Sequence, residues 1–315
     1  MSLDLPPATV AAPVPPAGAH GDDARRVAAA LGFDPGELLD LATTLNPVAP
    51  DVTPLVARAA RAVRWYPDVT AATASLAVRL DVDPALLILT NGGSEAIALV
   101  AAERPVGRVD GPEFSLYERH LASTGGAPEA PRWASNPNNP TGRLAGPDER
   151  AAVWDEAHLP LATGTWSRHE AGAIHLGSLT KLLACPGLRV GWIVAPDARV
   201  ASRLRERQPA WSVSSIACDV LPDLLALVDL PRWLPEIASR RDALAEVLRR
   251  HDLDPLPSDA PWLLVPRSAG LRERLAPHGI LVRDCASFGL PDHTRVGLPS
   301  AAGLERLDAA LATGP

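Results

Sequence analysis

Lysine, asparagine, tyrosine and cysteine are all scarce in this chain of 315 residues. The three cysteines (Cys185, Cys218 and Cys285) are an odd number, far apart and without a Cys-x-x-Cys pair. That excludes a disulfide framework and a thiolate zinc site, leaves no metal site to expect, and suits a reducing cytoplasm. No apolar run approaches the roughly 18 residues of a spanning helix. The first eighteen residues, rich in Ala and Pro, lack the basic start and unbroken apolar stretch of a secretory signal, so residues 1–18 are expected to be a loose tail. A formal charge of −7 is the wrong sign for binding a phosphate backbone. Neither nucleic acid nor a membrane is an expected partner.

What remains is informative by its placement. Among 30 Lys and Arg residues there is one lysine, Lys181. Arginine keeps its proton, whereas a desolvated lysine can lose one and attack a carbonyl to form a Schiff base, a role no other cation fills. The only tyrosines are Tyr66 and Tyr117, and the only asparagines are Asn46, Asn91, Asn136, Asn138 and Asn139. Nearly all of them sit in turn-like segments flanked by Gly or Pro rather than on apolar faces.

Patterning predicts helices over about 22–31, 53–63 and 70–80, then a buried strand over 86–90 running into NGGSEAIALVAA. Strand, glycine turn and helix in that order resemble a phosphate cradle, in which backbone N–H groups at a helix start face an anion. Taken alone, the pattern is better read as an ordinary strand-to-helix turn. SNPNNPTG (135–142) is a cluster of turn formers, and WDEAHL (154–159) places two carboxylates at the end of a short strand. AIHLGSLTK reads as a strand ending at Lys181, and GLRVGWIVAP as a loop entering another. Residues 196–250 are helical and Arg-rich with a break near 208–215, and a small α+β unit closes the chain. Strands alternating with helices predict a mostly parallel sheet.

Taken in order, NGGSE, SNPNNPTG, WDEAH, SLTK and GLRVGW resemble the fold-type I pyridoxal-phosphate enzymes of the aminotransferase class I/II superfamily. Within it, the histidinol-phosphate aminotransferases and the threonine-phosphate decarboxylases of cobalamin biosynthesis are most similar. The decarboxylases match better at both ends, through AHGDD, LLDLATTLNPVAP and GILVRDCASFGL.

The resemblance implies an α/β fold with a trimmed large domain (46–210) that binds pyridoxal 5'-phosphate, a small α+β domain (211–315), and an N-terminal segment (19–45) packed on the small domain. It implies that Lys181 holds the cofactor and moves a proton at the substrate carbon, with Asp155 keeping the pyridine nitrogen protonated. Asn139 is implied at the ring hydroxyl and Tyr117 on the ring face. Gly93, Ser94, Ser178, Thr180 and Arg189 are implied at the phosphate. Tyr66 would reach the phosphate of a partner subunit, which implies a homodimer. Arg295 matches the arginine for the substrate α-carboxylate, and Asn46, His20 and Arg283 are further substrate-binding candidates. The implied activity is decarboxylation of a small amino acid, phosphorylated or not. Transamination of the histidinol-phosphate type is the alternative, and a non-catalytic paralogue that binds cofactor or a partner is a second.

Three departures stand out. His158 occupies a position where these relatives carry tyrosine or phenylalanine, so it either donates to the ring hydroxyl or fills space. Asp22 and Asp23 follow Gly21 where a substrate phosphate is expected nearby, and two carboxylates there argue against a phosphorylated substrate. The twelve residues between Gly142 and Asp155 are too few for a crossover helix, so one sheet face is expected to be less covered, or covered by a partner.

Overall fold

The computed structural model describes residues 13–18, 23–123 and 128–313. Its first half comprises α1 (Ala24–Leu31), β1 (Leu39–Asp40), α2 (Thr53–Ala59), α3 (Thr70–Leu80), β2 (Leu87–Thr90), α4 (Gly92–Glu103), β3 (Arg108–Val109), α5 (Leu116–His120), β4 (Arg132–Ser135) and β5 (Val153–Asp155). There follow α6 (Leu159–Thr163), β6 (Ile174–Ser178), α7 (Leu179–Leu182), β7 (Gly191–Val194), α8 (Ala198–Arg207), α9 (Ser215–Ala226) and α10 (Leu230–Arg250). The last elements are β8 (Trp262–Val265), α11 (Leu271–Leu275), β9 (Ile280–Leu281), β10 (Arg283–Asp284), β11 (Thr294–Gly297) and α12 (Ala301–Ala312). Asp197, Ser214, Asp229 and Ser300 cap α8, α9, α10 and α12 by accepting from backbone N–H groups in the first turn.

Six strands form the main sheet in the order β2-β7-β6-β5-β4-β3. β3 to β6 run parallel, and β7 is antiparallel to both its neighbours. Alternation along the strands feeds two cores. Leu87, Leu89 and Trp192 join the cluster containing Leu76, Leu221 and Leu224, whereas Ile88, Leu176 and Ile193 join the cluster of α4 and α8. A second, antiparallel sheet has the order β10-β11-β8, and β1 pairs in parallel with β9, tying the N-terminal segment to the C-terminal unit.

The parallel neighbours β4 and β5 are joined without a helix, as the spacing predicts. The exposed face that this implies does not arise. Trp154 on β5 is 1% exposed and packs with Ala134, Ala151 and Ala173. Arg168 lies over its ring at 4.9 Å and donates to the carbonyls of Gly146, Pro147 and Glu149. The indole N–H in turn reaches Glu170 at 2.9 Å. A strap of polar groups thus does what a crossover helix does elsewhere.

The N-terminal tail also departs from expectation where it is described. Val14 packs against the cluster of Val27 and Leu281. The carbonyls of Pro15, Pro16 and Gly18 accept from Arg272, Arg26 and Arg283. Hydrogen bonds from three arginines, of which Arg272 and Arg283 are buried, hold this piece in place. Among the described residues no helix is long and apolar enough to cross a membrane.

Candidate active site

The register of the main sheet gathers the polar residues at one edge. Ser135 sits beside Asp155, Ser178 beside Gly191, and Thr90 on the other side of Gly191. Ligands of open α/β sheets bind outside the carboxyl ends of the strands. A cavity of about 240 Å³ lies there, lined by Gly93, Ser94, Tyr117, Asn139, Asp155, His158, Ser178, Thr180, Lys181, Arg189, Arg283 and Arg295. Twelve residues singled out from sequence therefore meet in one place.

Two described candidates, Asn46 and Tyr66, do not line it. Asn46 is buried behind Lys181, with its side chain bonded to the Leu182 carbonyl (2.9 Å) and the Val48 N–H (3.0 Å), so it braces the lysine-bearing turn. Tyr66 is 76% exposed and leans on Trp211, ring centroids 4.6 Å apart. His20 lies outside the described residues, as does Asp22. Asp23 is described, and its carboxylate turns into Arg272 at 2.7 Å and Arg26 at 3.1 Å. Its charge is neutralised locally, which removes its share of the expected repulsion.

The strand leading to Lys181 stops earlier than its alternation predicts. β6 ends at Ser178, whose Oγ accepts from the Thr180 N–H at 3.3 Å and starts the single turn α7. A serine cap competes with strand continuation, and here it wins. Ser178 Oγ and Thr180 Oγ1 are also 2.6 Å apart. Burial lowers the Lys181 amine to about 8, and the Arg295 charge acts in the same direction. A neutral, nucleophilic amine is thereby accessible near neutral pH.

The turn before α4 is built for close approach. Gly92 has φ +76°, and a Cβ there would strike the Arg189 guanidinium at 2.4 Å. A Cβ on Gly191 would strike the backbone of Gly92 and Gly93 at 2.4 and 2.7 Å. Asn91, the N-cap, makes no side-chain bond to the helix start, so the first N–H groups of α4 remain available to an anion, with Arg189 above them.

Asp155 closes the floor. It accepts from the Ala157 N–H (3.0 Å) and from the Tyr117 hydroxyl (2.9 Å), and burial pushes its pKa up to about 6. Tyr117 is held by Trp133 and Phe114. Next along the chain, buried Glu156 faces His175 at 3.1 Å and accepts from the Arg168 N–H.

Opposite stands Arg295, buried, with its guanidinium bonded to Asn139 Oδ1 and the Ala42 carbonyl and lying over Trp262 and Phe288. Its Nε has no hydrogen-bond partner among the described residues. Burial lowers its pKa to about 10. His158 Nε2 is 2.8 Å from Thr44 Oγ1, and its ring meets Trp262 edge-on. Burial and the nearby Lys181 and Arg295 charges push its pKa well down, so the imidazole is neutral. Arg283 donates to the Gly18 carbonyl (2.6 Å) and to Ser287 (2.7 Å) at the cavity rim.

Sequence reasoning passed over Thr44, Ser135 and Glu113. Thr44 sits two residues before Asn46, Ser135 directly before the NPNNP run, and Glu113 four residues before Tyr117. Each adjoined a residue already noted, and that adjacency was the available signal.

Residues 129–311 match the model of the aminotransferase class I and II family. The threonine-phosphate decarboxylase of Salmonella typhimurium is 31% identical, over 93% of this chain and 95% of that one. The chain belongs to this family. The histidinol-phosphate aminotransferase of Halobacterium salinarum, similar at 28% identity, covers 92% of this chain and 94% of its own. The fold matches that of histidinol-phosphate aminotransferase from Sinorhizobium meliloti, solved in complex with pyridoxal 5'-phosphate, with a TM-score of 0.79 at 19% identity over 95% and 94% of the two chains. Family membership thus agrees with the trimmed α/β architecture and with the cavity at the sheet edge.

Proposed function

We propose that the protein is a pyridoxal 5'-phosphate enzyme that decarboxylates a phosphorylated amino acid, in the manner of its threonine-phosphate decarboxylase relatives. The observation that carries this reading is the charge on the cavity wall. Among the described residues that line it, Lys181, Arg189 and Arg295 carry positive charge into the cavity and Asp155 is the one carboxylate, with Arg283 at its rim. Such a wall suits three anionic groups: the cofactor's phosphate, the substrate's carboxylate and the substrate's phosphate.

The residues present fit the cofactor. The cradle a Cβ would fill offers backbone N–H groups to its phosphate, with Ser178, Thr180 and Arg189 around it. Lys181 is the amine for its aldehyde, and it is the chain's only lysine. When bound, the cofactor supplies an electron sink for the pair left at the substrate's α-carbon.

The remaining work falls to the chain. Asp155 holds a proton at the ring nitrogen, and Tyr117 holds Asp155. A protonated nitrogen beside that carboxylate brings its raised pKa back down, so each group stabilises the other's charge. Arg295, backed by Asn139, takes the carboxylate with the Nε that lacks a partner. Arg283 takes the substrate phosphate at the rim. Lys181, near neutrality, returns the proton to the α-carbon after CO₂ leaves. His158, neutral and tied to Thr44, shapes the wall beside Arg295.

Tyr66 supports a homodimer with shared sites. It lies in an exposed apolar patch with Val63, Trp65 and Trp211, all more than 60% exposed. A patch of this kind calls for a partner surface. Three free, buried thiols suit a reducing cytoplasm.

Incubation of the cofactor-loaded protein with threonine phosphate tests the reaction. Release of CO₂ without a requirement for a keto-acid acceptor supports decarboxylation. Acceptor-dependent loss of the amino group from histidinol phosphate, with no CO₂ from threonine phosphate, would move the assignment to transamination.

A further inference from the structure

Ser135, at the end of β4, is buried, lines the cavity, and has no part in the reaction above. Its surroundings hold it in one orientation. Glu113, a buried acid on the segment between β3 and α5, turns both carboxylate oxygens to it: Oε1 accepts from the Ser135 N–H at 3.0 Å and Oε2 from the Ser135 hydroxyl at 2.5 Å. Oε2 also accepts from the Phe114 N–H at 3.3 Å. A serine hydroxyl carries one hydrogen. With that hydrogen given to Glu113, Ser135 Oγ acts only as an acceptor on its other side, where it takes the Asn139 N–H at 2.8 Å. Asn139 Oδ1 in turn accepts from the Arg295 guanidinium. Consecutive hydrogen bonds thus run from Glu113 through Ser135 and Asn139 to Arg295.

The loop has separate ties on both sides of Asn139. The Asn138 N–H donates to the Arg143 carbonyl at 2.8 Å and its side-chain amide to the Pro112 carbonyl at 3.1 Å, while the Pro140 carbonyl accepts from the Trp262 indole at 2.8 Å. Arg295 is likewise held apart from Asn139, by the Ala42 carbonyl at 2.9 Å and by the rings of Trp262 and Phe288. Loss of the Ser135 hydroxyl therefore leaves the loop folded and the charge in the cavity. What it releases is the aim of the guanidinium, whose donors form a rigid planar fork, so that a tilt at one bond misdirects the others.

We propose that Ser135, locked by Glu113, is a positioning residue for substrate recognition: it fixes Asn139, and through Asn139 the direction in which Arg295 presents its unpartnered Nε to the substrate's carboxylate. The inference rests on the assignment of Arg295 to that carboxylate. Its consequence is selective, because misdirection of Arg295 weakens ligands that carry a carboxylate and spares those that lack one.

Stopped-flow absorbance of the cofactor-loaded protein tests this with two ligands: threonine phosphate, read before turnover, and the amine phosphate in which hydrogen replaces its carboxylate. Burial holds the Glu113 pKa up at about 7, so the titrations are run above that pH, with the carboxylate ionised. Ser135→Ala is expected to weaken the first ligand by roughly 2- to 10-fold, the worth of one hydrogen bond, and to leave the second unchanged. Unchanged binding of the second also shows that the variant is folded. Ser135→Thr keeps the hydroxyl, suits the end of a strand and has room, because residue 135 lines a cavity on either side, so it is expected to bind both ligands like the wild type. Glu113→Gln keeps the shape without two accepting oxygens and is expected to share the selective loss. Equal weakening of both ligands by Ser135→Ala, no weakening of either, a loss that Ser135→Thr does not restore, or wild-type binding by Glu113→Gln would each overturn the inference. Arg295→Gln separates it from the assignment beneath it. If that variant fails to discriminate between the two ligands, Arg295 does not take the carboxylate and the assignment falls; if it discriminates and Ser135→Ala does not, the assignment stands and the positioning role alone is refuted.

Discussion

A single methyl group added at Gly191 tests how the anion cradle is built. The new Cβ of Gly191→Ala falls 2.4 Å from the Gly92 carbonyl carbon, 2.7 Å from the Gly93 nitrogen and 2.8 Å from the Gly92 oxygen. All three are backbone atoms, so no rotamer change relieves the clash. Ordinary contact begins near 3.4 Å, so β7 and the turn before α4 must separate by about 1 Å. Overpacking of this kind costs about 1–3 kcal/mol of stability. The displaced N–H groups are those we propose for the cofactor phosphate. Losing one charge-assisted bond, worth about 1.5–3 kcal/mol, weakens affinity by roughly 10- to 100-fold. Titration of the apoprotein with pyridoxal 5'-phosphate, followed by absorbance, measures the second effect, and thermal unfolding measures the first. Gly146→Ala is the control, because its Cβ meets nothing closer than a Glu149 side-chain atom at 3.7 Å. If Gly191→Ala binds the cofactor and unfolds like the wild type, the close approach of β7 does not shape the cradle.

Other expectations follow from the same packing and charges. Trp154→Ala empties the site that the polar strap covers and is expected to cost about 3–5 kcal/mol in urea unfolding; Arg168→Ala, which leaves carbonyls of the 146–149 segment without their donor, costs about 1–3 kcal/mol. Asp155 is raised from 3.8 to about 6 in the folded apoprotein, so the native state binds more protons than the unfolded chain between those values. Stability from this group is therefore full below pH 4 and falls as pH rises through 6, by roughly 3 kcal/mol; Asp155→Asn removes that slope from the pH dependence of unfolding. His158→Phe strands the buried Thr44 hydroxyl and is expected to destabilise by about 1–3 kcal/mol, and the double variant with Thr44→Val, measured by thermal unfolding, recovers part of it. Sedimentation should find a dimer that Tyr66→Glu with Trp211→Glu dissociates.

Much of this site was legible because the composition is so depleted. A lone lysine, two tyrosines and five asparagines in a chain of Ala, Leu, Arg and Pro mark positions where chemistry resists replacement, and Lys181, Tyr117 and Asn139 all line the cavity. The buried strand β2 followed by α4 was legible from its apolar run and glycine turn. The end of β6 was not. HLGSLTK alternates like a strand, and only the Ser178 side chain, by capping α7, decides otherwise. Long-range partners were hidden for a different reason. Asp23 counted as a repulsive charge until Arg272, 249 residues away, came to neutralise it. The missing crossover helix was evident from spacing, but its substitute was not, since Arg168 works through backbone carbonyls that carry no sequence signature. Glu113 was overlooked because its partner, Ser135, lies across the sheet edge.

The central claim is that Lys181 carries the cofactor. Because the chain holds no second lysine, one mass measurement addresses it: load the protein with pyridoxal 5'-phosphate, reduce with borohydride, digest, and weigh the peptides. The account expects one pyridoxyl group per chain, on the peptide containing Lys181, and none on Lys181→Ala treated alike. An unmodified Lys181 peptide from protein loaded with the cofactor, or equal labelling of Lys181→Ala, would contradict it.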